Sequence, residues 1–184
     1  MNYSQLPTPF GAIGVFWRDH QLTRVLLAPE LATGPALAQM PARAATPAWL
    51  SAEMEAYFAD PRHHFSCAIE LTGTVFQHRV WAMIAAIPPG CPRTYGALAE
   101  ALDSSARAVG NACRANPVPL RIPCHRVIAA RGLGGFAGDR SGRLVAIKRW
   151  LLDHEASLSR EQPRPPKRLA PLELPRPSEA RGQQ

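Results

Sequence analysis

Residues 94–117, TYGALAEALDSSARAVGNACRANP, hold two short helical runs separated by the polar turn Asp103-Ser104-Ser105. Serine is a favoured N-cap for the second run, and Asn116-Pro117 ends it, because proline drives the residue before it out of helical geometry. Two short helices across a three-residue turn, the second carrying Arg107 and Arg114, read as a helix-turn-helix. Helical hairpins that bind nothing share this pattern, so its chemistry has to come from the flanks.

Immediately downstream, RIPCHRVIAA (residues 121–130) sets Cys124 beside His125 in an apolar segment. A cysteine attacks as its thiolate, and a nearby imidazole is the usual way to produce one at neutral pH. Adjacent residues of an extended segment point to opposite sides, so contact between the two needs a sharp turn or a bridging water. The final helical run, residues 143–156, aligns Leu144, Ile147, Leu151 and Glu155 along one face, and a carboxylate at the end of an apolar stripe needs a partner. A relay from Glu155 through His125 and a water to Cys124 is chemically reasonable. His154 is an equal candidate partner, and an inert buried thiol remains open. The glycine-rich stretch 131–142, RGLGGFAGDRSG, lacks the phosphate-loop pattern and reads as a permissive cover for a flat ligand.

Upstream, Thr74-x-x-Gln77 offers a capping box for a helix with apolar face Phe76, Val80, Trp81, Ile84 and Ile87, stopped by Pro88-Pro89-Gly90. Residues 11–17 and 22–28 read as a hairpin, 49–58 as a helix, and 65–71 as a strand ended by Gly73. The Ala/Pro/Thr-rich stretch 32–47 reads as a loop or a weak helix. These elements divide into a small α/β domain over residues 1–72, a second unit over 73–156 that carries the helix-turn-helix and Cys124, and a disordered Pro/Arg-rich tail over 157–184, which holds six prolines.

The net charge of +7 is concentrated: residues 93–149 hold 10 Lys and Arg against 3 Asp and Glu, whereas residues 1–92 hold 5 against 6. A basic face of this kind attracts phosphates, and ordinary solvated arginines in an Arg-rich chain are the alternative reading. The longest apolar run, residues 80–87, is far short of the ~20 residues that span a bilayer, which points to the cytoplasm and away from a membrane. Cys67, Cys91, Cys113 and Cys124 form no CxxC pair, so reduced thiols and no metal are expected.

From Thr74 to Glu155 the chain resembles the C-terminal domain of the O6-alkylguanine-DNA alkyltransferases, also called methylated-DNA-protein-cysteine methyltransferases. The matching pieces are TVFQHRVWAMIAAIPPG, TYGALAEAL, ARAVGNACRANPVPLRIPCHRVI, LGGFAG and IKRWLLDHE, in the family's order. The N-terminal third is similar in outline through TPFGAIGVFW. The resemblance implies a ribonuclease H-like α/β domain followed by a mostly α, winged-helix-like helix-turn-helix domain. It also implies a repair protein that moves a methyl or small alkyl group from O6 of guanine, with O4 of thymine as a further candidate, onto its own Cys124. Transfer would occur once per molecule. The implied partner is double-stranded DNA carrying O6-alkylguanine, engaged by a monomer without a cofactor.

Residue by residue, the resemblance makes Cys124 the acceptor, His125 the base acting through water, Glu155 the group that orients it, and Tyr95 a proton donor towards guanine N3. Arg107 would enter the base stack in place of the flipped nucleotide, with Ala106, Ala108, Val109, Gly110 and Arg114 along the minor groove. Pro119, Val127, Gly135, Phe136 and Ala137 would line the pocket. Read from the residues, Asn116 either holds the Asn-Pro turn through side-chain to backbone hydrogen bonds or simply ends the helix. Phe136 stands where many members have tyrosine, and Asp139 replaces a common glycine. Two rivals remain: a module that recognises alkylguanine without repairing it, and a Cys-His hydrolase or acyl transferase, which would need an oxyanion hole.

Overall fold

The computed structural model describes residues 1–31 and 40–156; half of the stretch expected as a loop over 32–47, residues 32–39, and the tail over 157–184 lie outside the described residues. Strand β1 (Asn2–Thr8) pairs antiparallel with β2 (Gly11–Arg18), which pairs antiparallel with β3 (Gln21–Leu26). Asp19 and His20 take positive φ at the turn between β2 and β3, the twist that two-residue hairpins favour. The central strand β2 is covered on both faces. Ile13, Val15 and Trp17 enter the main core, while Phe16 packs on Tyr3 with ring centroids 4.7 Å apart. Strand β1 was not anticipated, because Ser4, Gln5 and Pro7 mask its alternation; as an edge strand it tolerates the proline.

Helix α1 (Ala48–Ala59) buries Leu50, Met54 and Tyr57. The strand expected over 65–71 contracts to β4 (Ala68–Ile69), parallel to β3. The cause is Glu53 of α1, whose carboxylate accepts the backbone N–H groups of Ser66 (2.8 Å) and Cys67 (3.0 Å), donors that a longer strand would spend on its ladder.

The second half begins at a complete capping box. Thr74 Oγ1 accepts from the Gln77 backbone N–H (3.2 Å) and Gln77 Oε1 from that of Thr74 (2.8 Å), starting α2 (Val75–Ala85). Such a cap stabilises a helix by about 0.5–2 kcal/mol. Strand β5 (Arg93–Thr94) leads into α3 (Tyr95–Ala101), and α4 (Ala106–Arg114) follows across the expected turn, N-capped by Ser105. Trp81 of α2 donates its indole N–H to the Ala112 carbonyl (2.9 Å), which locks α4 in place. Strand β6 (Val127–Ile128) pairs parallel with β5, so the start of α3 lies beside the segment that follows Cys124.

Helix α5 (Arg143–Ala156) closes the fold with Ile147, Lys148, Leu151 and Glu155 facing inward. Leu144, expected on that face, is only half-buried, and Lys148 takes the inward place instead. The two halves meet at the Asn-Pro turn, where the Val25 N–H of β3 donates to the Pro117 carbonyl (2.8 Å). Among the described residues no helix is long and apolar enough to cross a membrane.

Candidate active site

After Asn116-Pro117 the chain makes a tight, buried approach to Cys124, with Leu120 at a positive φ of 77°. Residues Cys124–Arg126 then form one turn of 3-10 helix. The extended geometry expected here is therefore replaced by a turn. No Cys124–His125 hydrogen bond forms even so, because the imidazole turns to Glu155.

Cys124 is 4% exposed, and its Sγ accepts a hydrogen bond from Asn116 Nδ2 at 3.1 Å. The same amide nitrogen donates to the Ile122 carbonyl (2.8 Å), and Asn116 Oδ1 accepts from the Val118 N–H (3.1 Å). Burial pushes the Cys124 thiol up, against the downward pull of the Asn116 bond and of Lys148. The resting group is a thiol that needs a base.

His125 is fully buried, with Nε2 2.7 Å from Glu155 Oε1. Burial lowers its basicity more than Glu155 raises it, which keeps the ring neutral. With Glu155 ionised, Nε2 carries the hydrogen and Nδ1 the lone pair. Nδ1 is buried and has no hydrogen-bond partner among the described residues. His154, the other candidate partner for Glu155, instead stacks on Trp150 with ring centroids 4.9 Å apart.

Glu155 is the most heavily engaged group in the site. Beyond His125, it accepts from Arg126 Nε on both oxygens (3.0 and 3.1 Å), from the Gly90 N–H (3.1 Å) and from the Tyr57 hydroxyl (3.5 Å). Burial alone would raise this carboxyl, but the bonds and charges of His125 and Arg126 outweigh it and hold it down to about 2. Arg126 and Tyr57 were absent from the sequence-derived site.

Lys148 is the other residue that sequence reasoning missed. It is fully buried, donating from Nζ to the carbonyls of Val127 (2.6 Å) and Gly135 (3.0 Å), and sits 5.6 Å from the Tyr95 ring centroid and 5.8 Å from that of Phe136. Burial lowers its pKa to about 8. A signal existed: Lys148 precedes Glu155 by seven residues, two helical turns along the same face. Tyr95 is half-buried and donates its hydroxyl to the Gly135 carbonyl (3.3 Å), and burial pushes its phenol up.

The glycine-rich loop folds over these groups as a tight turn. Phe136 and Asp139 exchange backbone hydrogen bonds at 2.8 Å across Ala137 and Gly138, both at positive φ. A Cβ at Gly135 would come within 2.7 Å of the Asp139 carbonyl oxygen, so this turn closes only on glycine. Pro119 and Ala137 line a cavity of about 910 Å³, together with Asn116, Arg114 and Arg24. Of the other expected pocket residues, Gly135 contributes its carbonyl, Phe136 lies buried beside Lys148, and the Val127 side chain belongs to the core.

Along α4, Ala106, Arg107 and Arg114 are exposed, and Ala108 and Gly110 are half-buried. Val109 is fully buried and faces the core, away from the outer surface on which it was expected. A Cβ built at Gly110 meets nothing within 4 Å, so no internal contact requires glycine there. Arg114 lies at the far end of the helix beneath the loop, where a Cβ on Gly138 would approach its Nε to 2.9 Å. Among the described residues no three His, Cys, Asp or Glu side chains gather as metal ligands.

Residues 75–157 match the family model described as 6-O-methylguanine DNA methyltransferase, DNA binding domain. The chain is 34% identical over 154 residues to a methylated-DNA–protein-cysteine methyltransferase of Mycolicibacterium paratuberculosis, covering 81% of this chain and 93% of that protein. It is 41% identical over 99 residues to the Mycobacterium leprae protein of the same name, a match spanning 52% of this chain and 60% of that protein. The Mycobacterium tuberculosis OGT crystallised in complex with DNA superposes with a TM-score of 0.72 at 33% identity, covering 85% of this chain and 94% of that one.

Proposed function

The chain belongs to the methylated-DNA–protein-cysteine methyltransferase family, and from that premise we propose that Cys124 is the residue onto which it transfers the alkyl group. The activity is DNA repair by direct reversal, with the protein's own cysteine as acceptor. The observation that carries the assignment is the arrangement around one thiol: Asn116 bonds its sulfur at 3.1 Å, and the next residue, a neutral His125 oriented by Glu155 at 2.7 Å, leaves Nδ1 without a partner among the described residues.

In this reading the Cys124 thiol proton passes through a water to His125 Nδ1 as Sγ attacks the alkyl carbon. The S–C bond forms while the C–O6 bond breaks, and its electron pair moves onto the guanine. The Tyr95 phenol, protonated at neutral pH, supplies the proton that guanine N3 takes up, which stabilises charge where it develops. The product thioether is not hydrolysed, so each molecule acts once.

O6 of guanine is inaccessible inside the stack, so the nucleotide has to be flipped out at a cost of a few kcal/mol. Arg107, at the exposed start of α4, would fill the gap it leaves. The open surface at Gly110 supports a close approach of α4 to the minor groove. The antiparallel β1-β2-β3 sheet with parallel β4 and α1 supports a ribonuclease H-like reading of residues 1–72, and α3, α4 and the β5-β6 pair support a winged-helix-like reading of residues 73–156. Cytoplasmic location and action as a monomer belong to the same reading.

The test is to incubate the protein with duplex DNA carrying O6-methylguanine and weigh it intact. The expected outcome is one added methylene mass on Cys124, saturating at one per molecule and absent in Cys124→Ala. Tight binding without an adduct would mean recognition without repair, and turnover beyond one equivalent would mean a hydrolase.

A further inference from the structure

Glu155 is held by more than the histidine it orients. Arg126 approaches it with Nε on both oxygens (3.0 and 3.1 Å) and with Nη2 on Oε1 (2.9 Å), while Nη1 donates to the Ile87 carbonyl just beyond α2. Glu155 is fully buried and Arg126 is 7% exposed. The 3-10 turn that presents Cys124 therefore sends successive residues to one carboxylate, first the imidazole and then the guanidinium.

We propose that Arg126 is a positioning residue of the proton relay: clamped across Glu155, it keeps that carboxylate a pure acceptor for the His125 Nε2–H and so holds Nδ1 as the free base for Cys124. This rests on reading Cys124 as the acceptor and His125 as its base.

A buried carboxylate whose only partner is an imidazole satisfies its charge by drawing a proton onto the ring, giving an imidazolium. Nδ1 would then carry a hydrogen and could accept nothing from the thiol. Arg126 removes that need, because a guanidinium does not lose its proton and supplies the countercharge at every working pH. The ring stays neutral at rest, and the same carboxylate stabilises it when the thiol proton arrives.

The charged and titratable groups facing His125 are Glu155 and Lys148 of α5 and Arg126 of its own turn. Those facing Glu155 include, in addition, Tyr57 of α1. Of these, Arg126 alone combines direct contact with Glu155 and a charge that does not change with pH. Its charge also acts directly against protonation of the ring.

The experiment compares full-length wild type with Arg126→Gln, which removes the charge, and Arg126→Lys, which keeps it without the fork. Single-turnover transfer from O6-methylguanine duplex is followed from about pH 5.5 to about pH 9, with the His125 ring titrated in parallel by nitrogen NMR. The expected result for Arg126→Gln is a His125 pKa raised by about one unit or more, with a matching tenfold loss of rate on the acid side that recovers at alkaline pH. Arg126→Lys should lie between. An unchanged ring titration in folded Arg126→Gln, or a rate lost equally at every pH, would overturn the proposal. Should Arg126→Gln not fold, Arg126→Lys decides by the same two readouts, and a wild-type His125 titrating above neutrality would also overturn it. Wild type that forms no Cys124 adduct would sink the underlying reading instead, while the ring titration still tests what Arg126 does to His125.

Discussion

Asn116 donates one amide hydrogen to the Cys124 sulfur at 3.1 Å and the other to the Ile122 carbonyl at 2.8 Å. One residue thus holds the turn after α4 and also touches the sulfur proposed as the acceptor. In Asn116→Ala the Val118 N–H loses its acceptor, while the Ile122 carbonyl keeps only the Cys124 N–H, which should cost about 1–3 kcal/mol. The Cys124 thiol, already pushed up by burial, should rise further, because the Asn116 bond pulls it down. The pH dependence of Cys124 alkylation by iodoacetamide reads this directly; superimposable wild-type and variant curves would remove Asn116 from the chemistry.

Glu155 makes the fold sensitive to acid. Its folded pKa of about 2 lies below the ordinary carboxylate value, so the stability it adds is complete above the unfolded pKa and is lost as pH falls towards 2. Glu155→Gln leaves Arg126 buried without its counterion and should cost roughly 3–5 kcal/mol at neutral pH. Urea unfolding at a series of pH values should show the gap between wild type and variant narrowing on acidification. A gap independent of pH would contradict the depressed carboxyl.

Lys148 predicts a rise of the same sign at high pH. Burial holds its folded pKa at about 8, below that of the unfolded chain, so the unfolded state binds the extra proton and stability rises with pH through this window. Lys148→Met should lack that rise while losing the bonds to Val127 and Gly135. The comparison of the two unfolding profiles above pH 8 checks it.

Gly110 should separate folding from binding. A Cβ there meets nothing within 4 Å, and alanine is favoured over glycine inside a helix, so Gly110→Ala should stabilise the protein by about 0.5–1 kcal/mol. If α4 enters the minor groove, the same methyl should weaken binding to lesion DNA. Higher Tm with undiminished binding would place the DNA elsewhere.

Arg107 is exposed at the first turn of α4. If Arg107 fills the flipped position, Arg107→Ala should weaken binding to O6-methylguanine duplex more than binding to undamaged duplex. Equal losses on both duplexes, with a smaller salt dependence, would mark Arg107 as a phosphate contact only.

What was legible in the chain was what neighbours within a turn decide. The Thr74–Gln77 capping box, the Ser105 N-cap and the hairpin of β2 and β3 depend on residues three or four apart, and they formed where expected. The strand over 65–71 did not, because its backbone donors were claimed by Glu53, thirteen residues upstream of Ser66. Strand β1 was invisible because an edge strand is paid for by its partner rather than by its own alternation.

By itself, then, the amino-acid order determined the helix-turn-helix with its caps, the concentration of basic residues around it, and a cysteine and histidine adjacent at its exit. Only the tertiary structure decided that Glu155 meets His125 while His154 stacks on Trp150, that Arg126 and Tyr57 share the same carboxylate, and that Lys148 is buried beside Tyr95. The reason is one of range. Caps and periodicity are satisfied within a few residues, whereas a buried charge takes its partners from whichever elements converge on it, and at Glu155 of α5 those are α1, the loop after α2 and the Cys124 turn.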